Sequence, residues 1–211
     1  MPRRITEVLP QKKKSRRFNV FIDGEYAFSL SSRLAAAIQA GGTLSEQQEG
    51  ALKREDEIER AFDASLNYLK YRPRSRVETS RHLDGKGFEK AAIETALKRL
   101  EHYAYIDDFE FARFWVESRT RNRPRGLFAL KYELREKGIE KHVIEKTLVG
   151  FDEHAPAWQA VAKKLSGWST LPDHELKGKI YSFLKQRGFA FETCEDIWNR
   201  AREKIKDEIL R

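Results

Sequence analysis

Asp107, Asp108 and Glu110 form the acidic cluster that most invites a catalytic reading. A magnesium-dependent nuclease needs carboxylates that converge on a metal and a phosphate. Adjacent aspartates, however, point in different directions on any turn. Both stand just before a predicted helix over Phe109–Ser118. There a carboxylate accepts free backbone N–H groups and complements the positive helix end. Capping is therefore the expected role of Asp107 and Asp108. His82, His102, His142, His154 and His174 lack the short His/Cys spacing of a zinc site and are expected as surface or packing side chains. The lone Cys194 shares helical spacing with Ile197, Trp198, Ala201 and Ile205, which places it on a core stripe. No G-x-S-x-G or phosphate loop is present, and Gly85-Lys86-Gly87 is too short to cradle a nucleotide. No catalytic residue, cofactor or metal ligand is expected.

The cations are better organised. The net charge is +8, and residues 109–150 hold ten Lys/Arg against six Asp/Glu. Arg119, Arg121, Arg123, Arg125 and Lys131 follow one another with no acid among them. Arg119 closes the predicted helix, and the next three arginines fill a loop stiffened by Pro124. Lys131 and Arg135 extend along the following helix. Arg72, Arg74 and Arg76 occupy the matching loop about 51 residues earlier, and Lys177, Lys179, Lys185 and Arg187 make a third set. A charge run is usually a solvated face. Repetition at matched positions favours an edge that tracks a polyanion, so these residues are the candidate partner- and DNA-binding set. The separate cluster Lys12-Lys13-Lys14-Ser15-Arg16-Arg17 reads as a solvated loop, with a nucleic-acid clamp as the alternative. Trp115, Trp158 and Trp198 fall on core stripes and offer no platform for stacking bases.

What positions these residues is a repeat. Leu83-Asp84-Gly85-Lys86-Gly87-Phe88, Leu134-Arg135-Glu136-Lys137-Gly138-Ile139 and Leu184-Lys185-Gln186-Arg187-Gly188-Phe189 each state a helix stop, with glycines 51 and 50 residues apart. Glycine takes the left-handed C′ position, and Phe88, Ile139 and Phe189 clasp Leu83, Leu134 and Leu184 in a Schellman motif. A fixed period signals a repeat array. Each repeat reads as three helices whose apolar stripes close a core only by stacking on neighbours. Ahead of them, Phe18–Ile22 and Tyr26–Leu30 alternate about Asp23-Gly24, a type I′ hairpin signal. Ile5–Leu9 offers a third strand, and Leu34, Ala37 and Ile38 a covering helix stopped by Gly41-Gly42. Ser45 with Gln48 opens a long helix running to about Tyr71.

The fold class is mainly α: three tandem three-helix repeats, solenoid-like, behind a small N-terminal β-hairpin and helix. The expected divisions are 1–44 for the hairpin unit, 45–106 for the linker helix and repeat 1, 107–150 for repeat 2, and 151–211 for repeat 3. Charged residues are 35% and hydrophobic ones 40%, as for a helix-rich surface. No run approaches 18 apolar residues, so no membrane contact is expected. Met1-Pro2-Arg3-Arg4 leads into no apolar segment, and one cysteine fits a reducing compartment, so a cytoplasmic location is expected.

Tyr68-Leu69-Lys70-Tyr71-Arg72-Pro73-Arg74-Ser75, the Leu-x-x-Lys-Gly helix ends, Tyr105-Ile106-Asp107-Asp108 with Phe111-Ala112-Arg113, and Arg123-Pro124-Arg125-Gly126 together resemble the RecX family over roughly residues 60–200. Order and spacing carry the match. The resemblance implies tandem three-helix repeats and no catalytic residues. It implies a regulator that binds the RecA recombinase filament on single-stranded DNA and inhibits RecA ATPase, recombinase and coprotease activity, in control of DNA repair and the SOS response. A monomer is expected. Thr79, where the family usually has an apolar residue, and Asp84-Gly85 depart from the pattern, and the hairpin lies outside the shared core. The alternative is a general DNA- or RNA-binding helical repeat protein with no recombinase partner.

Overall fold

The computed structural model describes residues 2–12 and 14–209. Alternating apolar residues build an antiparallel sheet from β1 (Arg3–Gln11), β2 (Lys14–Ile22), β3 (Glu25–Ser31) and the short β4 (Thr43–Leu44), in the order β3-β2-β1-β4. The β2–β3 turn falls on Asp23 and Gly24, whose φ angles of 53° and 89° are the left-handed pair a type I′ turn requires. Ile5, Val20, Ile22, Phe28 and Leu30 form the buried face. The covering helix expected at Leu34–Ile38 is only a turn, α1 (Ser32–Ala35). Leu34, Ala35 and Ile38 still pack on the sheet core, and the long α2 (Glu46–Leu69) adds cover through Leu52. Its start is the predicted capping box, with Gln48 N–H donating to Ser45 Oγ and Ser45 N–H to Gln48 Oε1.

A buried ion pair fixes the sheet to α2. Arg17 donates to both Asp56 oxygens at 2.7 and 2.9 Å, and Ser31 N–H donates to the same carboxylate at 2.8 Å. Asp56 is 4% exposed. Arg17 is thus no part of a solvated basic loop, because β2 already begins at Lys14 and holds its guanidinium against α2. Lys13 and the side chains of Lys14 and Ser15 lie outside the described residues.

The remaining helices are α3 (Arg76–Asp84), α4 (Lys90–His102), α5 (Asp108–Asn122), α6 (Leu127–Glu136), α7 (Lys141–Leu148), α8 (His154–Leu165), α9 (Asp173–Lys185) and α10 (Phe191–Ile209). No strand occurs among the described residues from 60 onward. The three-helix sets are the end of α2 with α3–α4, then α5–α7, then α8–α10. Each has its own core, around Leu97 and Leu100, around Phe111 and Leu130, and around Ile180 and Ile197. The chain forms two compact units. One runs to Arg72 and includes Glu78–Ile106, and the other joins Pro73–Val77 to the chain from Asp107 onward.

Gly87, Gly138 and Gly188 sit at φ 81°, 78° and 75°. In each turn the C″ N–H reaches the C3 carbonyl: Phe88 to Leu83 at 3.4 Å, Ile139 to Leu134 at 3.0 Å and Phe189 to Leu184 at 3.3 Å. The glycine N–H reaches the C2 carbonyl in all three. The end of α4 repeats this geometry with no glycine. Tyr105 N–H donates to Leu100 O and Ala104 N–H to Glu101 O, with Ala104 at φ 55°.

Candidate nucleic-acid interface

In the second unit the loop that opens one repeat's middle helix docks on the helix stop of the next repeat. Ser75 Oγ donates to the Lys137 carbonyl, beside Gly138. Fifty-one residues on, Gly126 N–H donates to the Arg187 carbonyl at 2.9 Å and Phe128 N–H to the Gly188 carbonyl at 3.1 Å. The Arg-Pro-Arg sequences at 72–74 and 123–125 lead into these two contacts, the first made by a side-chain hydroxyl and the second by backbone. An acid completes each joint. Asp108 Oδ1 accepts Arg76 N–H at 2.8 Å, and Glu153 Oε1 accepts Leu127 N–H. The other Glu153 oxygen accepts Ala190 N–H and Thr193 Oγ–H, at 3.1 and 3.0 Å. Glu57 in the first unit accepts Glu89 N–H at 2.8 Å. Glu57, Asp108 and Glu153 thus each cap a helix other than their own.

Asp107 caps α5 as expected, accepting Phe109 and Glu110 N–H. Asp108 does not share that task, because its Oδ1 accepts Arg76 N–H within the same unit. No group of three or more His, Cys, Asp or Glu among the described residues could hold a metal ion. No helix among them is long and apolar enough to cross a membrane. Cys194 is fully buried, and burial pushes its thiol pKa up. His154 bridges Asp152 and Asp196, each at 2.9 Å, and hydrogen bonds to these carboxylates, Asp196 foremost, raise its pKa.

The candidate cations separate into held and exposed groups. Glu133 accepts Trp115 Nε1–H at 2.8 Å and Arg119 Nε–H at 2.6 Å, and lies 3.5 Å from Arg125 Nε. Arg119 also lies 4.4 Å from the Trp115 ring centre. Arg72 in the first unit holds Glu78 with both terminal nitrogens, at 3.1 and 2.9 Å. Arg187 stacks 3.6 Å over the Phe183 ring and donates to the Phe183 carbonyl. Arg74, Arg76 and Lys131 are half-buried, whereas Arg121, Arg123, Arg135, Lys177, Lys179 and Lys185 are exposed. Arg121 belongs to the last turn of α5 rather than to the loop. That helix stops at Asn122, since Pro124 disfavours a helical Arg123. Pattern alone did not reveal Glu133 as the shared partner of Arg119 and Trp115. The only signal was an acid in an otherwise basic segment.

The family models described as the RecX N-terminal domain, the first RecX three-helix domain and the second RecX three-helix domain match residues 3–39, 61–100 and 107–148, so the hairpin, expected to lie outside the family's shared core, belongs to a family domain of its own. The chain is 32% identical over 209 residues to the regulatory protein RecX of Bacillus subtilis, covering 97% of this chain and 78% of that one. Against the RecX of Chlorobium phaeobacteroides it is 39% identical over 133 residues, 62% of this chain and 85% of that one. A crystal structure of regulatory protein RecX superposes with a TM-score of 0.74 at 25% identity, over 93% of this chain and 99% of that one. The RecX structure from Lactobacillus salivarius shares the fold, with a TM-score of 0.64 over 70% of this chain and 98% of that one. With three matched domains and relatives aligned along nearly its whole length, the chain belongs to the RecX family, non-enzymatic regulators of RecA.

Proposed function

We propose that this protein lodges in RecA filaments on single-stranded DNA and inhibits RecA's ATPase, recombinase and coprotease activities. The observation that carries the reading is the density of exposed cations on α5, α6, α9 and their loops, in a chain of the RecX family. Arg121, Arg123, Arg135, Lys177, Lys179 and Lys185 are exposed and can meet phosphates or acidic filament surfaces. Arg74, Arg76 and Lys131 are half-buried members of the same set, and Arg119, Arg125 and Arg187 are held by neighbouring side chains. Arg72 marks the matching loop in the first unit. The protein acts as a monomer in the cytoplasm, with no cofactor. The test is ATP hydrolysis by RecA on single-stranded DNA as the protein is added. Inhibition at sub-filament stoichiometry supports the reading. Binding to bare DNA with no effect on RecA would support a general nucleic-acid binder instead.

A further inference from the structure

Between the second and third repeats of the second unit lies an open cleft of about 290 Å³. Its walls carry Arg123, Arg125, Lys163, Lys164 and Arg187, with Phe183 at one side, and no carboxylate among the described residues lines it. Lys163 and Lys164 come from α8 and are exposed, outside the periodic basic loops. The backbone bond from Gly126 N–H to Arg187 O at 2.9 Å draws the Arg123–Arg125 loop onto the end of α9. Arg187 is held rigid by Phe183 at its face and carbonyl. Glu133, beside Arg125, also holds Arg119. Arg125 Nε is buried and makes no hydrogen bond among the described residues. Burial, and after it the Arg125 charge, lower the Arg187 pKa.

We infer that this cleft is an oxyanion site that takes a phosphoryl group, with Arg123, Arg125, Arg187, Lys163 and Lys164 as its donors. Three guanidinium forks suit the tetrahedral oxygens of phosphate, and two lysines add mobile charge at the rim. The site rests on the reading of this face as polyanion-binding and adds two lysines to it. Its phosphoryl group comes from a phosphodiester of a DNA strand or from a free polyphosphate.

Two measurements without RecA decide between these sources. The first is the melting temperature of the full chain in sodium pyrophosphate against sodium chloride of equal ionic strength. The second is polarisation of a labelled single-stranded oligonucleotide. Both are run on wild type, Lys163→Gln/Lys164→Gln and Arg187→Gln, with helicity checked by circular dichroism. A rise in melting temperature specific to pyrophosphate and lost in the variants assigns a free polyphosphate. Oligonucleotide binding weakened about tenfold in the variants, without a pyrophosphate effect, assigns a phosphodiester. If Arg187→Gln fails to fold, the lysine variant decides alone, since both lysines are exposed. Wild-type behaviour of the lysine variant in both measurements overturns the site. A protein that binds phosphate here yet leaves RecA's ATPase untouched fails the filament reading and not this one, and the reverse result fails only this one.

Discussion

The hydroxyl of Ser75 donates to the carbonyl of Lys137 at 2.7 Å, across 62 residues of sequence. The glycine after Lys137 lies against Val77, the second residue after that serine. A Cβ built on Gly138 would come within 2.4 Å of Val77 Cγ2, and one on Gly188 within 2.4 Å of Ala129 N. A Cβ on Gly87 would meet nothing within 4 Å. Three glycines of identical conformation therefore carry two different constraints, a backbone angle at all three and a close approach at two.

That distinction sets an order of stabilities. Gly87→Ala should cost about 1–2 kcal/mol, the left-handed penalty alone. Gly138→Ala and Gly188→Ala should cost about 2–4 kcal/mol, since overpacking is added. Urea denaturation of the three variants gives the comparison. Equal losses at all three sites would show that the repeat junctions are looser than described.

Ala104 offers the opposite experiment. It occupies the left-handed C′ position at φ 55° that the repeat stops give to glycine. Ala104→Gly should stabilise by up to about 1 kcal/mol, the relieved backbone penalty less the added freedom of the unfolded chain. A lowered melting temperature would mean that the alanine methyl is worth more than the angle it strains.

Asp56→Ala should destabilise the first unit by about 3–5 kcal/mol, because Arg17 and Ser31 N–H lose their acceptor in a nearly sealed site. Asp63→Ala, at an exposed position of the same helix as Asp56, serves as the control for removing a carboxylate. A change at Asp56 no worse than this control would place the sheet's stability elsewhere.

The carboxylate clamp on His154 predicts a pH effect. The folded-state pKa lies above its ordinary value of 6.5. The clamp's contribution is therefore complete below about 6.5 and fades as pH rises through the elevated value. Asp152 is shifted down from 3.8, foremost by the His154 backbone N–H, so its share is present above 3.8 and disappears as pH falls through the lowered value. Melting temperatures at about pH 6 and about pH 8.5 should differ less in His154→Gln than in wild type. Parallel behaviour of the two proteins would remove the clamp from the account.

Arg121→Glu with Arg123→Glu should weaken inhibition of RecA on the order of tenfold at low salt, with helicity unchanged and a smaller loss as salt rises. Arg125 is left intact because it sits between Glu133 and Arg187, and reversing it would disturb the fold as well as the surface. Inhibition curves that overlay wild type at low salt would dismiss these arginines as contacts while leaving family membership untouched.

What the sequence made legible was local. A left-handed stop followed by its clasp, the Asp23-Gly24 turn and the Ser45–Gln48 box each lie within six consecutive residues, so composition and spacing determine them. The joints between repeats were hidden because their partners are far apart. Asp108 reads as a cap of α5 from its neighbours, yet Arg76, 32 residues away, receives it. Glu153 reads as a loop acid, yet it holds two helix starts at once. The arginines were visible as a periodic run. Which of them are braces was not, since Glu133 is assigned by helix packing and not by sequence distance.

The burial of Cys194 has a practical consequence for watching this protein at work. Its sulfur lies in the third repeat's core with a thiol pKa above the ordinary value of 9.0, so the native chain should be silent toward maleimides at neutral pH. A cysteine placed at an exposed position outside the candidate cations, such as Lys98, would then be the only one to take up a dye. One fluorophore per molecule, attached without first deleting a native thiol, would let single proteins be counted as they arrive on a strand.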